Sequence, residues 1–334
     1  MTRYFFQRML LMIPTLIGIT IVTFGIMKLA PGDPAELKAQ TVQGTLKGGS
    51  LPEEIIAETR KLYGLDKPVW EQYARWVWRL VRLDFGDSFK DHRPVLAKLK
   101  DAIPITLCLS FATIAITYII AIPLGVVAAL KPRGWLDQLI AAGLFILYSL
   151  PAFWVAMLLL VFFAGGEYWN WFPLTGFISD GAERLPLLNR FANIGWHLVL
   201  PIVCLTYGGF AFLSRFSRAS MLEVIRQDFI RTARAKGLSE WRVLVRHALR
   251  NAMIPLVTLM GTLLPALLGG SVIIEQIFAI PGMGRLGFEA VLARDYPVIM
   301  AIAVIDAVLT LLSLLLSDLL YVVVDPRITF GSRS

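Results

Sequence analysis

The sequence is short of charge, of cysteine and of histidine. Only 17% of its 334 residues are Asp, Glu, Lys or Arg, where a soluble domain carries about 25%, so an ordinary water-soluble domain is excluded. Its two cysteines, Cys108 and Cys204, fall inside apolar runs without CxxC spacing. That excludes a disulfide framework and leaves buried apolar thiols. The three histidines, His92, His197 and His247, are scattered, so no metal site is expected. Nothing reads GxxxxGK[ST], so the chain lacks a P-loop of its own, and any ATP-driven step would have its ATPase on another chain. No Ser/His/Asp or Cys/His arrangement supports an enzyme.

Apolar residues, by contrast, make up 57% of the chain, and the mean hydropathy is +0.67. Several runs of about twenty apolar residues are each long enough to cross a bilayer. The net charge of +8 sits largely in one loop between such runs, where it sets topology better than it would serve nucleic acid. Arg3 and Arg8 precede a first apolar run, Met9 to Met27. Its length and its lack of an Ala-x-Ala end fit a retained span better than a cleaved signal peptide.

Further spans are expected at about 104–130, 138–164, 197–214, 253–278 and 298–324. The chain thus reads as an all-α membrane protein of about six transmembrane helices. Residues 1–29 are the amino terminus and first span, 30–103 an external helical subdomain, 104–324 the membrane core and 325–334 a tail. In the subdomain, Ser50-Leu51-Pro52-Glu53 is a capping box, with Gly64 as a stop. A second helix, Val69 to about Arg82, carries Trp70, Tyr73, Trp76, Val77 and Leu80 on one side, for packing on the spans or lying at headgroup level. The cytosolic segments so assigned hold fifteen Lys/Arg and the two short outer loops four, which places both termini in the cytosol.

Within the spans, Leu150-Pro151, Pro201 and Pro265 should bend their helices, and Gly269-Gly270-Ser271 allows close packing. Intramembrane carboxylates are candidates for relays or ion sites, which singles out Glu275, Asp306 and Asp318. Pairing with an arginine or facing a water-filled cavity is the plainer use of them. Ser149, Pro151, Glu275 and Asp306 are the candidates for a translocation pathway or gate.

The one long polar interruption of the second half is Arg215–Pro255, with nine Lys/Arg against three Asp/Glu. Leu222, Ile225, Phe229 and Ala233 recur at helical spacing, and Trp241, Leu244, Val245, Ala248, Leu249 and Ala252 make a second apolar stripe. Gly237 suits the left-handed position that ends a helix, with Leu238 as the apolar residue after it, and Ser239 can cap the next helix. Helix, tight turn, helix is therefore expected. A loop whose charge only fixes topology is the plain alternative.

Pro281-Gly282-Met283-Gly284-Arg285-Leu286-Gly287 contains GxGxxG, with Asp306 about twenty residues on. A dinucleotide site needs a strand–turn–helix in a soluble βαβ unit, whereas this motif lies between two spans. The glycines are read instead as a turn at the outer surface.

The stretch RTARAKGLSEWRVLVRHALRNAMIP, from Arg231 to Pro255, resembles the cytoplasmic EAA loop of ABC importer permeases, in its dipeptide/oligopeptide/nickel subfamily form. Ala233 and Gly237 match the general pattern. Arg231 and Thr232 replace Glu-Ala, and His247, Leu249 and Arg250 replace Ile, Leu and Pro, as in the peptide subfamily. Pro31-Gly32-Asp33-Pro34, Gly64-Leu65-Asp66-Lys67-Pro68, Phe85-Gly86-Asp87-Ser88, Ser149-Leu150-Pro151, Glu275-Gln276-Ile277-Phe278, the PGMGRLG stretch and Arg294-Asp295-Tyr296-Pro297 are similar to that subfamily too. Together they cover nearly the whole chain.

The resemblance implies a type I ABC importer permease in a bacterial inner membrane, with coupling loop 215–252 docked on a separate ATPase through Ala233, Arg234, Ala235, Gly237, Leu238 and Ser239. It further implies a second homologous permease, a pair of cytoplasmic ABC ATPases and a periplasmic or extracellular substrate-binding protein. No cofactor is expected on this chain; ATP and Mg would bind the ATPases. The solute would be a di- or oligopeptide or a similar small molecule. The rival from another class is a self-contained proton-coupled transporter with Asp306 and Asp318 as relays; no inverted repeat supports it.

Overall fold

The computed structural model describes residues 2–29, 66–261 and 263–324. The capping box at Ser50, the Pro31-Gly32-Asp33-Pro34 break and the 325–334 tail lie outside the described residues, as does the side chain of Asp318. Every described element is helical, and the isolated bridge between Asp87 and Pro94 is the one extended pairing among them. Among the described residues four helices are long and apolar enough to cross a membrane, and a helix pair bent by 89° passes the same test when taken together.

The chain divides into two compact units. The first comprises Met1–Pro104 with Leu286–Leu315. Here helix α1 (Thr2–Leu29) meets α2 (Val69–Val81). The Phe24 ring lies 5.6 Å from that of Tyr73 and 5.8 Å from that of Trp76, and the Thr20 and Tyr73 hydroxyls share a 2.9 Å hydrogen bond. The aromatic side of α2 therefore packs on the first span through Tyr73 and Trp76, while Trp70 stays exposed.

The second unit comprises Ile105–Arg285 with Leu316–Ser334. Helix α3 runs Val95–Leu130, α4 Trp135–Ser149, α5 Ala152–Phe163 and α6 Leu187–Ile225. The break between α4 and α5 falls at Leu150-Pro151, because Pro151 lacks the N–H that would continue the ladder. The α6 helix is the axis of this unit, packing against α3, α4 and α5. A Cβ on Gly125 of α3 would collide with the Ser214 carbonyl and lie 2.7 Å from the Ser217 Cβ, so glycine permits this close crossing. Leu109, Ala156, Leu198, Cys204, Ile274 and Phe278 form one apolar core along it.

Two expected boundaries change. Span 197–214 is part of a continuous 39-residue helix about 58 Å long. Nothing in Arg215–Ile225 breaks the helical period, so the helix runs on through these charges. The expected span 253–278 is three helices, α9 (Arg250–Gly261), α10 (Leu264–Gly269) and α11 (Val272–Ile277). Pro265 stands in the first turn of α10, and Gly270, at φ +62°, ends it.

Candidate functional site

The helix–turn–helix grows out of the end of α6. Val224, near its end, is buried with Met221 against Ile230 and Ala233 of α7 (Asp228–Ala235) and against Val243, Ala248 and Ala252 beyond the turn. The first expected loop helix is therefore split at Arg226-Gln227, and Phe229 is exposed rather than on the buried stripe.

At the turn, Gly237 takes φ +74°. Its N–H donates to the Arg234 carbonyl at 2.9 Å, and the Leu238 N–H to that of Ala233 at 3.4 Å. Leu238 packs on the same apolar cluster. An added Cβ at Gly237 would meet nothing within 4 Å, so its requirement for glycine is one of backbone conformation alone.

Ser239 stands at the N-cap, but its hydroxyl makes no capping bond; its carbonyl accepts the Val243 N–H at 3.0 Å. The tie across the turn comes instead from Arg234, whose guanidinium donates to both Glu240 oxygens, at 2.8 and 3.3 Å. Sequence reading missed Glu240; its signal was the opposite charge six positions on. Ala233 is buried and Leu238 half-buried, while Arg234, Ala235, Gly237 and Ser239 are exposed together on one surface.

The second helix is not regular. A three-residue α8 (Glu240–Arg242) passes into a π-helical turn, Val243–Leu249, before α9. The wider turn inserts an extra residue per repeat, so the buried positions are Val243, Ala248 and Ala252. Trp241, expected on the apolar stripe, is 74% exposed, and Val245 lies outside as well. This places a large aromatic beside the Arg234–Ser239 turn.

The Lys131–Gly134 turn is fixed by Asp137. Arg218 of α6 donates to both carboxylate oxygens of Asp137, at 2.8 and 2.7 Å, and the Arg133 N–H donates at 2.8 Å. The helix that leads into the loop is thereby tied to the start of α4.

Ser149 and Pro151 lie at the bend between α4 and α5. The Ser149 hydroxyl donates back to the Phe145 carbonyl at 2.8 Å, and Tyr207 of α6 donates to the Leu150 carbonyl at 2.7 Å. The carbonyl exposed by the break is thus satisfied.

Glu275 is fully buried. Its carboxylate accepts the N–H of Arg285 at 2.8 Å and of Ser271 at 3.2 Å, with the Thr106 hydroxyl at 3.4 Å. Met283, which opens helix α12 (Met283–Leu292), donates its N–H to Thr106 at 2.7 Å. Glu275 and Thr106 therefore cap α12, supplying acceptors and negative charge where a helix start needs them.

The glycines of the PGMGRLG turn make room for this cap. A Cβ on Gly282 would lie 2.7 Å from the Glu275 Cδ, one on Gly284 2.9 Å from the Val272 N, and one on Gly270 2.5 Å from Glu275 Oε1. Gly282 and Gly284 are buried and only Pro281 is exposed, so most of this motif is interior. Gly287 lies farther along α12, with only the end of Ile302 near its face. The helix start is filled by a carboxylate and no strand precedes it, which removes the dinucleotide reading.

Asp306 lies in α13 (Tyr296–Val324). Its Oδ1 is buried without a hydrogen-bond partner, while the Thr310 hydroxyl donates to its carbonyl at 2.8 Å.

In the first unit the two short motifs Phe85-Gly86-Asp87-Ser88 and Arg294-Asp295-Tyr296-Pro297 come together. Asp295, buried, accepts from the Ser88 hydroxyl and, at 2.9 Å, from the Phe89 N–H. Lys98 donates to the Ser88 oxygen at 3.1 Å and to Asp91 at 2.9 Å. Burial pushes the Asp91 carboxyl up, but hydrogen bonds from Lys98, Ser88 and the Arg93 N–H outweigh it and hold the group below its ordinary value.

The family model described as the binding-protein-dependent transport system inner membrane component matches residues 121–330. A second, for the N-terminal part of such membrane components, matches residues 1–110. The oligopeptide transport system permease protein AppB of Bacillus subtilis (strain 168) is 40% identical over 331 residues, spanning 99% of this chain and 100% of its own. The inner membrane ABC transporter permease protein YejB of Escherichia coli O157:H7 is 36% identical across 100% of both chains. The dipeptide transport system permease protein DppB of Escherichia coli (strain K12) is 38% identical over 98% of this chain and 99% of its own. Among solved structures, a chain of the MetNI methionine ABC transporter is similar in fold. Its TM-score is 0.50 at 19% identity, over 69% of this chain and 97% of that one.

Proposed function

The chain belongs to the family of binding-protein-dependent transport system inner membrane components, and on that premise we propose that it is one permease subunit of an ATP-driven ABC importer for peptides. The observation that carries the peptide reading is similarity along the full chain to permeases named for oligopeptide and dipeptide transport. The protein lies in a bacterial inner membrane with both termini in the cytosol, as the charge count favours. It pairs with a second permease of the same fold, a pair of cytoplasmic ATPases that bind ATP and Mg, and an external substrate-binding protein. It performs no catalysis itself.

In this reading the Arg234–Ser239 turn docks on an ATPase. Closure of the ATPase pair displaces the turn. The apolar core of Met221, Val224, Ile230, Ala233 and Val243 passes that displacement to α6, a single helix that does not yield at the membrane boundary. The Arg218–Asp137 pair carries it on to α4 and the bend at Leu150-Pro151, giving alternating access. Nothing in the fold or the relatives supports the proton-coupled alternative.

The test is co-purification of the chain with its genomic neighbours, followed by ATP hydrolysis and peptide uptake in lipid. Co-purifying ATPases whose hydrolysis is stimulated by the binding protein, with that stimulated hydrolysis lost in an inserted Gly237→Val protein, support the reading. A chain that purifies alone and moves solute down a proton gradient would overturn it.

A further inference from the structure

Helix α2 is apolar over more of its circumference than the first span covers. Tyr73 and Trp76 meet α1, and Leu80, on the same side, is half-buried. Next to that stripe, Trp70, Ala74, Trp78 and Val81 recur at i, i+4, i+8 and i+11, the spacing of one helix face. All four are exposed, Trp70 by 72% and Val81 by 70%. A third stripe is polar and holds Glu71, Arg75, Arg79 and Arg82. Glu71 accepts from Lys67 and from Arg75, each at 2.9 Å, and Arg79 donates to Asp84 at 2.8 Å. The Arg82 guanidinium lies 4.6 Å from the centre of the Trp78 ring, laid along apolar surface as long cationic side chains are at a membrane interface. The three stripes are centred roughly 120° apart at 3.6 residues per turn. One faces a span, one is open and apolar, and one suits water.

The contact with α1 sets the depth of α2. The apolar run Met9–Met27 rises about 27 Å as helix, close to a ~30 Å hydrocarbon core. Lys28, the first charge after that run, therefore stands at the edge of the core. Phe24 and Thr20, the residues that touch α2, lie one and two turns inside that edge, roughly 6 and 12 Å. An amphipathic helix in the plane of a membrane sinks its apolar face about 5–10 Å into the headgroup and acyl boundary, which is the same depth. A soluble protein docked from outside does not reach it. The first span is itself largely uncovered, with 11% of its residues buried, so the open stripe of α2 continues an apolar surface at bilayer depth. Its two tryptophans are of the type that favours headgroup level.

We propose that α2 is an interfacial helix lying in the outer leaflet. Trp70, Ala74, Trp78 and Val81 rest on lipid where headgroups meet acyl chains, and the paired charges face water. Those charges are matched within the chain, so the lipid surface needs no particular headgroup charge. Through Tyr73 and Thr20 the helix anchors the outer end of the first span. Only the choice of leaflet rests on the importer reading, through its cytosolic amino terminus.

The test uses the full chain, co-purified with the subunits encoded beside it and reconstituted in phosphatidylcholine vesicles, with Cys108 and Cys204 replaced by alanine. A nitroxide is attached at Ala74→Cys on the open apolar stripe or at Arg75→Cys on the polar one. Collisions with oxygen should be more frequent at 74 than at 75, and collisions with a water-soluble nickel chelate less frequent. Added salt or phosphatidylglycerol should leave that contrast in place. Trp70→Glu with Trp78→Glu should bring the oxygen-to-chelate ratio at 74 down to that at 75, whereas Trp70→Phe with Trp78→Phe should keep it high.

Equal ratios at 74 and 75 in the unsubstituted helix overturn the proposal, since the stripe would then face water. An immobile nitroxide at 74 that meets neither quencher also overturns it and assigns the stripe to protein, such as the partner permease. The collision readout does not depend on transport, so a wild type without ATP-dependent uptake would bring down the importer reading alone. In spheroplasts an impermeant maleimide should label Arg75→Cys. Labelling only after lysis would overturn the outer-leaflet assignment together with the orientation in that reading.

Discussion

The hydroxyl of Ser88 donates to the carboxylate of Asp295, 207 positions later in the chain. Two tetrapeptides that are each unremarkable as sequence thereby become one buried polar joint, completed by the Phe89 N–H and bordered by Lys98. Asp295→Ala strands a buried hydroxyl and an N–H, each worth about 1–3 kcal/mol. It should lower stability by about 2–4 kcal/mol and expose the 84–94 loop to protease. Asp295→Asn keeps one acceptor and should fall between. A melting temperature within a degree of wild type for Asp295→Ala would refute the joint.

Acid should loosen the same region through Asp91. Its carboxyl titrates in the folded chain below its ordinary 3.8, so the folded state favours the charged form. The stabilisation is therefore full above about pH 4 and is lost as pH falls through the lower folded value. Because Asp91 is 38% exposed, solvent screening keeps the effect small. Melting temperatures from pH 3 to 8 should be flat above pH 5, and Asp91→Asn should flatten the acid limb. An identical acid limb in the variant would exclude Asp91 as its source.

At Gly237 the open space around the Cβ direction separates conformation from sterics. Asn tolerates the left-handed region better than Ala, and Val least of all. Peptide uptake and ATP hydrolysis should therefore decline in the order Gly, Asn, Ala, Val, with Ala losing about 1 kcal/mol of turn stability. Membrane insertion should not change. Were Gly237→Asn as damaging as Gly237→Val, the space would matter and the backbone would not.

Arg218 and Asp137 form the joint between the helix that feeds the loop and the helix that bends. Asp137→Asn weakens the fork and the tie to the Arg133 N–H, and should reduce stability by about 1–3 kcal/mol; the pair is part-exposed, which places it below the 3–5 kcal/mol of fully buried pairs. Asp137→Asn with Arg218→Gln should recover part of that loss, and a double-mutant cycle measures how much. A coupling below about 0.5 kcal/mol would leave the pair without a mechanical role.

The helical class, the Leu150-Pro151 break and the left-handed Gly237 were legible because each depends on local chemistry: apolar length, a missing N–H, a missing Cβ. The split of the 253–278 run was not. Its glycines were visible, but Gly270 bends to receive Glu275, a contact that closes through Gly284 and Thr106. The exposure of Trp241 was hidden for a related reason. A stripe drawn at 3.6 residues per turn cannot register a π-helical turn, and the turn arises from packing Val243 and Ala248 together. Ser239 carries the right residue type for a cap, yet Arg234 and Glu240 make the tie through their side chains across the turn.

Glu275 gives the sharpest contrast between a structural and a transporting carboxylate. As the cap of α12 it acts only as an acceptor, facing the N–H groups of Ser271 and Arg285. Glu275→Gln would turn an NH2 toward one of these donors and remove the charge that favours a helix start. The variant should lose about 2–3 kcal/mol of stability, with uptake falling in step with the folded fraction. Gly282→Ala should resemble it, since its Cβ would press on the same carboxylate. In both variants the ratio of peptide moved to ATP hydrolysed should match wild type in the folded population, and a protonophore should make no difference. A stable Glu275→Gln importer with normal hydrolysis but no uptake would instead make Glu275 part of the path, and its buried cap a closed state of that path.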